Sequence, residues 1–139
     1  MDNHEFHSRG APLTKRIKQV ISFDGMRYGT ITPTDIDLCI EYHDKAVVLL
    51  EYKLKGYGMP KGQRICLERI ANDIERSGRE ATVMLCEHDV ADVNQPVKGG
   101  DARVKAIYYK HQWHWSDGKS VNRHIERFLG YVDRKELRQ

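Results

Sequence analysis

Two stretches decide how this chain is read: Thr34-Asp35-Ile36-Asp37-Leu38-Cys39-Ile40-Glu41-Tyr42 and Ala46-Val47-Val48-Leu49-Leu50-Glu51-Tyr52-Lys53-Leu54. In the first, Ile36, Leu38, Ile40 and Tyr42 alternate with Asp35, Asp37, Cys39 and Glu41. That period of two predicts a strand over Asp35 to Tyr42 with one apolar face. In the second, Val47 to Leu50 is apolar without a break, which predicts a strand covered on both faces, as in an α/β protein. The polar triplet His43-Asp44-Lys45 lies between them and predicts a hairpin.

The hairpin register has chemical consequences. With His43-Asp44-Lys45 as the loop, Leu38 faces Leu50, Asp37 faces Glu51 and Asp35 faces Lys53. With Tyr42-His43-Asp44 as the loop, Asp35 faces Glu51 instead, so Asp35 stands as a reserve ligand. The first register is preferred because its loop is the more polar. Directly opposed residues have Cβ atoms roughly 4.5–5.5 Å apart, so two opposed carboxylates repel. A divalent cation turns that repulsion into a binding site. Oxygen ligands suit Mg²⁺, with Mn²⁺ able to substitute, and the backbone carbonyl of Tyr52 adds a neutral oxygen. Lys53 shares the strand face of Glu51 and can orient an attacking water or hold a phosphate. The alternative is a salt-bridged sheet face. Val47, Leu49 and Cys39 on that same face argue against full solvation, and buried charges need partners.

Working outward, Gln63 to Ser77 reads as a helix with Cys66, Leu67, Ile70 and Ile74 on one stripe and Gly78 as its cap. Gln63 continues that stripe at its first turn and points towards the end of the Glu-Tyr-Lys strand. Thr82 to Cys86 and Val104 to Tyr109 read as strands, and Ser120 caps a last helix with Val121, Ile125, Phe128, Leu129 and Val132 inward. Upstream, Thr14 can cap a helix carrying Ile17, Val20 and Ile21. Asp24-Gly25 is a turn, and Met26 to Ile31 reads as a strand ended by Pro33. The expected order is helix, three strands, helix, strand, strand, helix.

These elements resemble the PD-(D/E)XK nuclease superfamily. Its signature is an acid on one strand followed by Glu or Asp, any residue and Lys on the next. Asp35 or Asp37 and Glu51-Tyr52-Lys53 match it, over a span from about Thr14 to Cys86. Several branches carry a helical glutamine where Gln63 stands. The resemblance implies a restriction-endonuclease-like αβββαβ core, with a mixed central sheet flanked by helices. It implies a small Mg²⁺-dependent DNA endonuclease, of the resolvase or phage type, in which Asp37 and Glu51 bind the metal and Lys53 and Gln63 complete the catalytic set. This chain departs from the family in reading Pro33-Thr34-Asp35 rather than Pro-Asp, and in offering only Glu5 as an acid before the first helix. The rival reading is a catalytically inactive nucleic-acid-binding module on the same fold.

The chain's 139 residues predict one domain, with residues 1–12 as a loose arm. No apolar run approaches the roughly 18 residues of a membrane span, and the Met1-Asp2-Asn3 start has no apolar leader, which predicts a cytoplasmic protein with no membrane partner. Cys39, Cys66 and Cys86 form no CxxC pair and are expected as buried, reduced thiols. Net charge is only +3, but Val97 to Gln139 holds ten basic against five acidic residues. Basic clusters suit a phosphate backbone. The glycine-rich loop after Lys53 supplies the expected DNA contacts Lys55, Tyr57, Lys61 and Arg64. Cutting both strands would favour a homodimer. Cys86-Glu87-His88-Asp89 has the composition of a zinc site, but adjacent strand residues diverge. His111-Gln112-Trp113-His114-Trp115 is expected to pack the end of a strand, with base stacking as its alternative.

Overall fold

A computed structural model describes residues 20–138. The chain divides into two units, Met1–Pro33 and Thr34–Gln139. In the first, the expected Met26 to Ile31 strand is not formed. Tyr28 and Ile31 instead bridge to one another across a tight turn, in which Gly29 takes φ 67°. The Asp24-Gly25 turn is present. The expected helix beginning at Thr14 falls largely on residues outside those described, while Val20 and Ile21 are exposed and non-helical.

The second unit is α/β: a five-stranded mixed sheet with one helix packed on each face. Its elements are β1 (Leu38–Tyr42), β2 (Ala46–Leu54), α1 (Lys61–Arg76), β3 (Glu80–His88), β4 (Arg103–Tyr109), β5 (Gln112–Trp115) and α2 (Val121–Leu137). The strands lie side by side in chain order. β2 and β3 run parallel, joined through α1, and every other neighbouring pair is antiparallel. Of the aromatic run expected to pack the end of a strand, Gln112–Trp115 forms the edge strand β5 itself. Among the described residues, no helix is long and apolar enough to cross a membrane.

The β1–β2 register is the preferred one: Leu38 pairs with Leu50, Ile40 with Val48 and Tyr42 with Ala46. Its turn is unusual for having no glycine. His43 and Asp44 take φ 50° and 59°, the left-handed conformation of primed hairpin turns. Lys45 N–H closes the turn on Tyr42 O at 2.9 Å, and the Glu41 side chain accepts from Asp44 N–H at 2.6 Å. Lys110 and His111 repeat the arrangement between β4 and β5, with φ 50° and 66°.

Strand alternation divides the core in two. Val47, Leu49, Ala81, Val83 and Tyr108 pack against Leu67 and Ala71 of α1. Val48, Leu50, Met84, Cys86 and Val104 pack under Val121 of α2. Ala46 to Leu50 are buried throughout, which is why that stretch is apolar without alternation. Ser120 caps α2 by accepting from Arg123 N–H, and Gly78 follows α1 at φ 94°. Cys39, expected buried, is exposed: it lies on edge strand β1, beyond the cover of α1.

The packing makes two opposite demands on stability. Leu67 is fully buried, so Leu67→Ala should cost about 2–5 kcal/mol. Asp44→Gly should gain about 0.5–1 kcal/mol by relieving a left-handed non-glycine residue. Urea denaturation of both variants checks the pair. A destabilised Asp44→Gly would mean that the side chain's contact with Arg79 outweighs the backbone.

Candidate active site

β2 leaves the core at its C-terminal end, and there its inward face stops being apolar. After Val47 and Leu49, the next residues on the α1 side are Glu51 and Lys53. Glu51 is only 2% exposed. The α1 stripe does the same in reverse: its buried residues are Ala71, Leu67 and then Gln63. Strand and helix periods therefore bring a carboxylate and an amide together above the sheet. The parallel β2–α1–β3 connection puts the start of α1 beside the end of β2. α1 has no side-chain N-cap, so its first N–H groups are free for solvent or an anion.

Glu51 is poorly provided for. Oε1 lies 3.3 Å from Lys53 Nζ. Oε2 is buried and has no hydrogen-bond partner. Burial raises the Glu51 pKa, and the Asp37 charge raises it further. The Gln63 amide and the Lys53 ammonium pull it back only in part. Gln63 is thus near enough to favour the carboxylate without supplying a hydrogen bond to Oε2. A buried carboxylate oxygen without a donor costs on the order of 1–3 kcal/mol or more. It is the feature that a cation would relieve.

Asp37 stands just before β1, where the observed register continues to Glu51. Its Oδ2 accepts from Tyr52 N–H at 2.8 Å, taking the place of a strand neighbour beyond the end of β1. Asp35 is exposed and makes no ion pair with Lys53, which pairs with Glu51 instead. Tyr52 itself turns to the α2 face, where its hydroxyl donates to Gly99 O at 3.1 Å. Lys55, Tyr57 and Lys61 are exposed on the loop after β2 and at the start of α1. Arg64 pairs with Glu68 at 2.8 Å and lines a cleft of about 320 Å³ beside the site.

Among the described residues, no group of three or more His, Cys, Asp or Glu side chains is gathered as a metal-ligand set. Mg²⁺ keeps most of its waters and takes substrate oxygens, so it asks for few protein donors. The unpartnered Glu51 oxygen fits that ion. Cys86 does not join it: burial pushes its thiol up to about 12, and it faces α2 while Glu87 faces α1. Glu87 instead lies 3.8 Å from Lys105, an extra residue in β4 at a bulge opposite Leu85 and Cys86.

One constellation was not visible in the sequence. Ser116 Oγ and Asp117 Oδ1 approach buried His124 at 3.0 and 2.8 Å. Both approach the same atom, Nε2. A nitrogen that donates its proton to Asp117 has no lone pair left to take one from Ser116, so this is no nucleophilic triad. It ties the β5–α2 turn to α2.

No protein-family model, no curated protein and no solved structure matches the chain.

The strain at Glu51 has a sign that can be measured. Its native pKa is raised above the ordinary 4.5, so folding disfavours the charged form. Stability is lost as pH rises from the unfolded pKa towards the native one. Without divalent metal, Glu51→Gln should be more stable than the parent at neutral pH by about 1 kcal/mol, and the gain should disappear below about pH 4. Denaturation in chelator at the two pH values reads this out. A variant less stable at both would show that Oε2 is already satisfied.

Proposed function

We propose that the chain is a Mg²⁺-dependent deoxyribonuclease on a restriction-endonuclease-like core of the PD-(D/E)XK kind. The observation that carries this is the buried, half-satisfied Glu51 carboxylate between Lys53, Gln63 and Asp37. The antiparallel β1–β2 pair, the α1 crossover and parallel β3 support this reading, since their order is the one expected for the ββαβ part of such a core. The preceding strand of the αβββαβ pattern is not formed at Met26 to Ile31.

Glu51, Asp37 and the Tyr52 carbonyl would hold the ion. When bound, Mg²⁺ polarises a phosphoryl oxygen and lowers the pKa of a water. The remaining work falls to the side chains. Lys53, half-buried beside Glu51, places a positive charge where an attacking water and a phosphate oxygen would meet. Gln63 favours the charged form of Glu51, in part against burial, and can donate to the water. The open first turn of α1 and exposed Lys55 and Lys61 offer phosphate contacts. Tyr57 and Arg64 flank the same approach. Cutting both strands of a duplex would require a second copy. Three free thiols fit a cytoplasmic setting.

One observation favours the rival reading, a silent DNA-binding module. Asp37 already accepts from Tyr52 N–H and Lys53 already pairs with Glu51, so both have partners without a metal. Incubation with plasmid, linear and branched DNA, with and without Mg²⁺, separates the two. Cleavage should require the metal and fall at least about a hundredfold in Glu51→Ala and in Lys53→Ala. Salt-sensitive binding with no metal-dependent product would leave the module. Cleavage that survives both substitutions would remove these residues from the chemistry.

A further inference from the structure

The strand pairing lines up one row across the sheet. Glu51 pairs with Leu85, Leu85 with Ala106, and Ala106 with Trp115. Three strand spacings of about 4.8 Å put Trp115 roughly 14 Å from the candidate site on the α1 face. The ground between them is low, because its floor is Leu85 and Ala106. A cleft of about 320 Å³ opens there, bordered by Met59, Arg64 and Lys105, with Trp115 at its outer end.

The two tryptophans of β5 are not equivalent. Trp113 serves packing: its ring lies 5.3 Å from that of Tyr108, and its indole N–H donates to Glu68. Trp115, two residues on and on the same face, is 82% exposed. Its ring stands at the open edge of the sheet, where it also borders a cleft on the α2 side. The volume on the α1 side is at the small end for a ligand cleft, suited to a nucleoside-sized group and far too narrow for a duplex. The charged residues lining it, Arg64 and Lys105, are both basic. Glu68 and Glu87 hold those cations in place from outside the cleft. A base can stack on an indole only when it has left its duplex stack.

We infer that Trp115 is a stacking platform for an unpaired base, and that single-stranded DNA crosses the sheet from Trp115 over Ala106 and Leu85 to Glu51. This rests on the nuclease reading for what happens at Glu51, and it narrows the substrate to DNA with an unpaired segment. Arg64 and Lys105 meet the phosphates of that segment. Trp115 acts at a distance from the scissile bond, as a positioning residue.

The test is anisotropy of a labelled single strand and of a labelled hairpin duplex, in chelator, with the full chain. The parent should prefer the single strand, and its tryptophan emission should be quenched on binding. Trp115→Ala should weaken single-strand binding roughly ten- to a hundredfold, change duplex binding less than about threefold and lose most of the quench, while Trp115→Phe keeps most of the affinity. Equal losses on both DNAs, unchanged single-strand binding in Trp115→Ala, or no single-strand binding by the parent would each overturn the inference. So would a concentration-dependent dimer abolished by Trp115→Ala, which would make this face a contact between copies. Because binding is read without metal, the two readings fail separately. Discriminating binding without Mg²⁺-dependent cleavage sinks the hydrolytic step alone, and cleavage with normal Trp115→Ala binding sinks the stacking platform alone.

Discussion

The burial of Glu51 is the constraint around which this fold is arranged. A charged group in the core costs several kcal/mol unless its partners are complete. The protein shows that it can complete them, because it does so for a second glutamate at the other end of the sheet. Glu80 is also buried, at the start of β3. Burial pushes its carboxyl up, but Lys135, the Tyr109 hydroxyl at 2.9 Å and Lys110 more than offset this and leave it below the ordinary range. Glu80 is a finished structural site that ties β3 to the β4–β5 turn and α2. Glu51 has one ammonium, a nearby amide, a repelling neighbour and an empty oxygen. Two buried glutamates under one set of physical rules, one satisfied and one left wanting, separate a structural acid from a candidate functional one.

The wanting acid is positioned by regular structure alone. Parity on β2 gives Glu51 and Lys53 the face of Val47 and Leu49. The helical period brings Gln63 into line with Leu67 and Ala71. The parallel crossover sets the start of α1 at the carboxyl end of β2, the place where open α/β sheets generally bind ligands. A site built on a central strand and a packed helix is held rigidly, so the geometry at Glu51 is fixed before any ligand arrives.

Much of this was legible beforehand, and the reasons differ from element to element. The hairpin register could be read because His43-Asp44-Lys45 is the more polar, turn-like triplet; the competing register, two residues away, would leave the same side chains on each face. The continuous apolar run of β2 announced cover on both faces, and the Gln63 stripe announced the helix phase. Met26 to Ile31 failed because six strand-like residues between a Gly turn and Pro33 cannot pair without a neighbour, and local pattern says nothing about neighbours. β5 was passed over because the turn before it uses Lys110 and His111 in the left-handed region, where turn chemistry leads one to expect glycine or asparagine. Cys39 alternates like a core residue, but its strand is at the edge of the sheet.

The cross-sheet row was not legible at all, and the bulge explains why. Leu85 faces Ala106 and Cys86 faces Val104, so β4 spends an extra residue, Lys105, against two consecutive residues of β3. Counting along an unbulged β4 would put every later residue one place out of step and on the opposite face. With the bulge, small Ala106 falls in line with Leu85, and Lys105 is bent towards Glu87 at the cleft's border. Ser116 N–H donates to the displaced Lys105 O at 3.0 Å, just beyond the end of β5. The position of Trp115 relative to Glu51 is therefore a property of the irregularity in β4, and no periodicity in the chain encodes it. If the acid of β2 and the indole of β5 serve one ligand, the bulge is the device that puts them on one face.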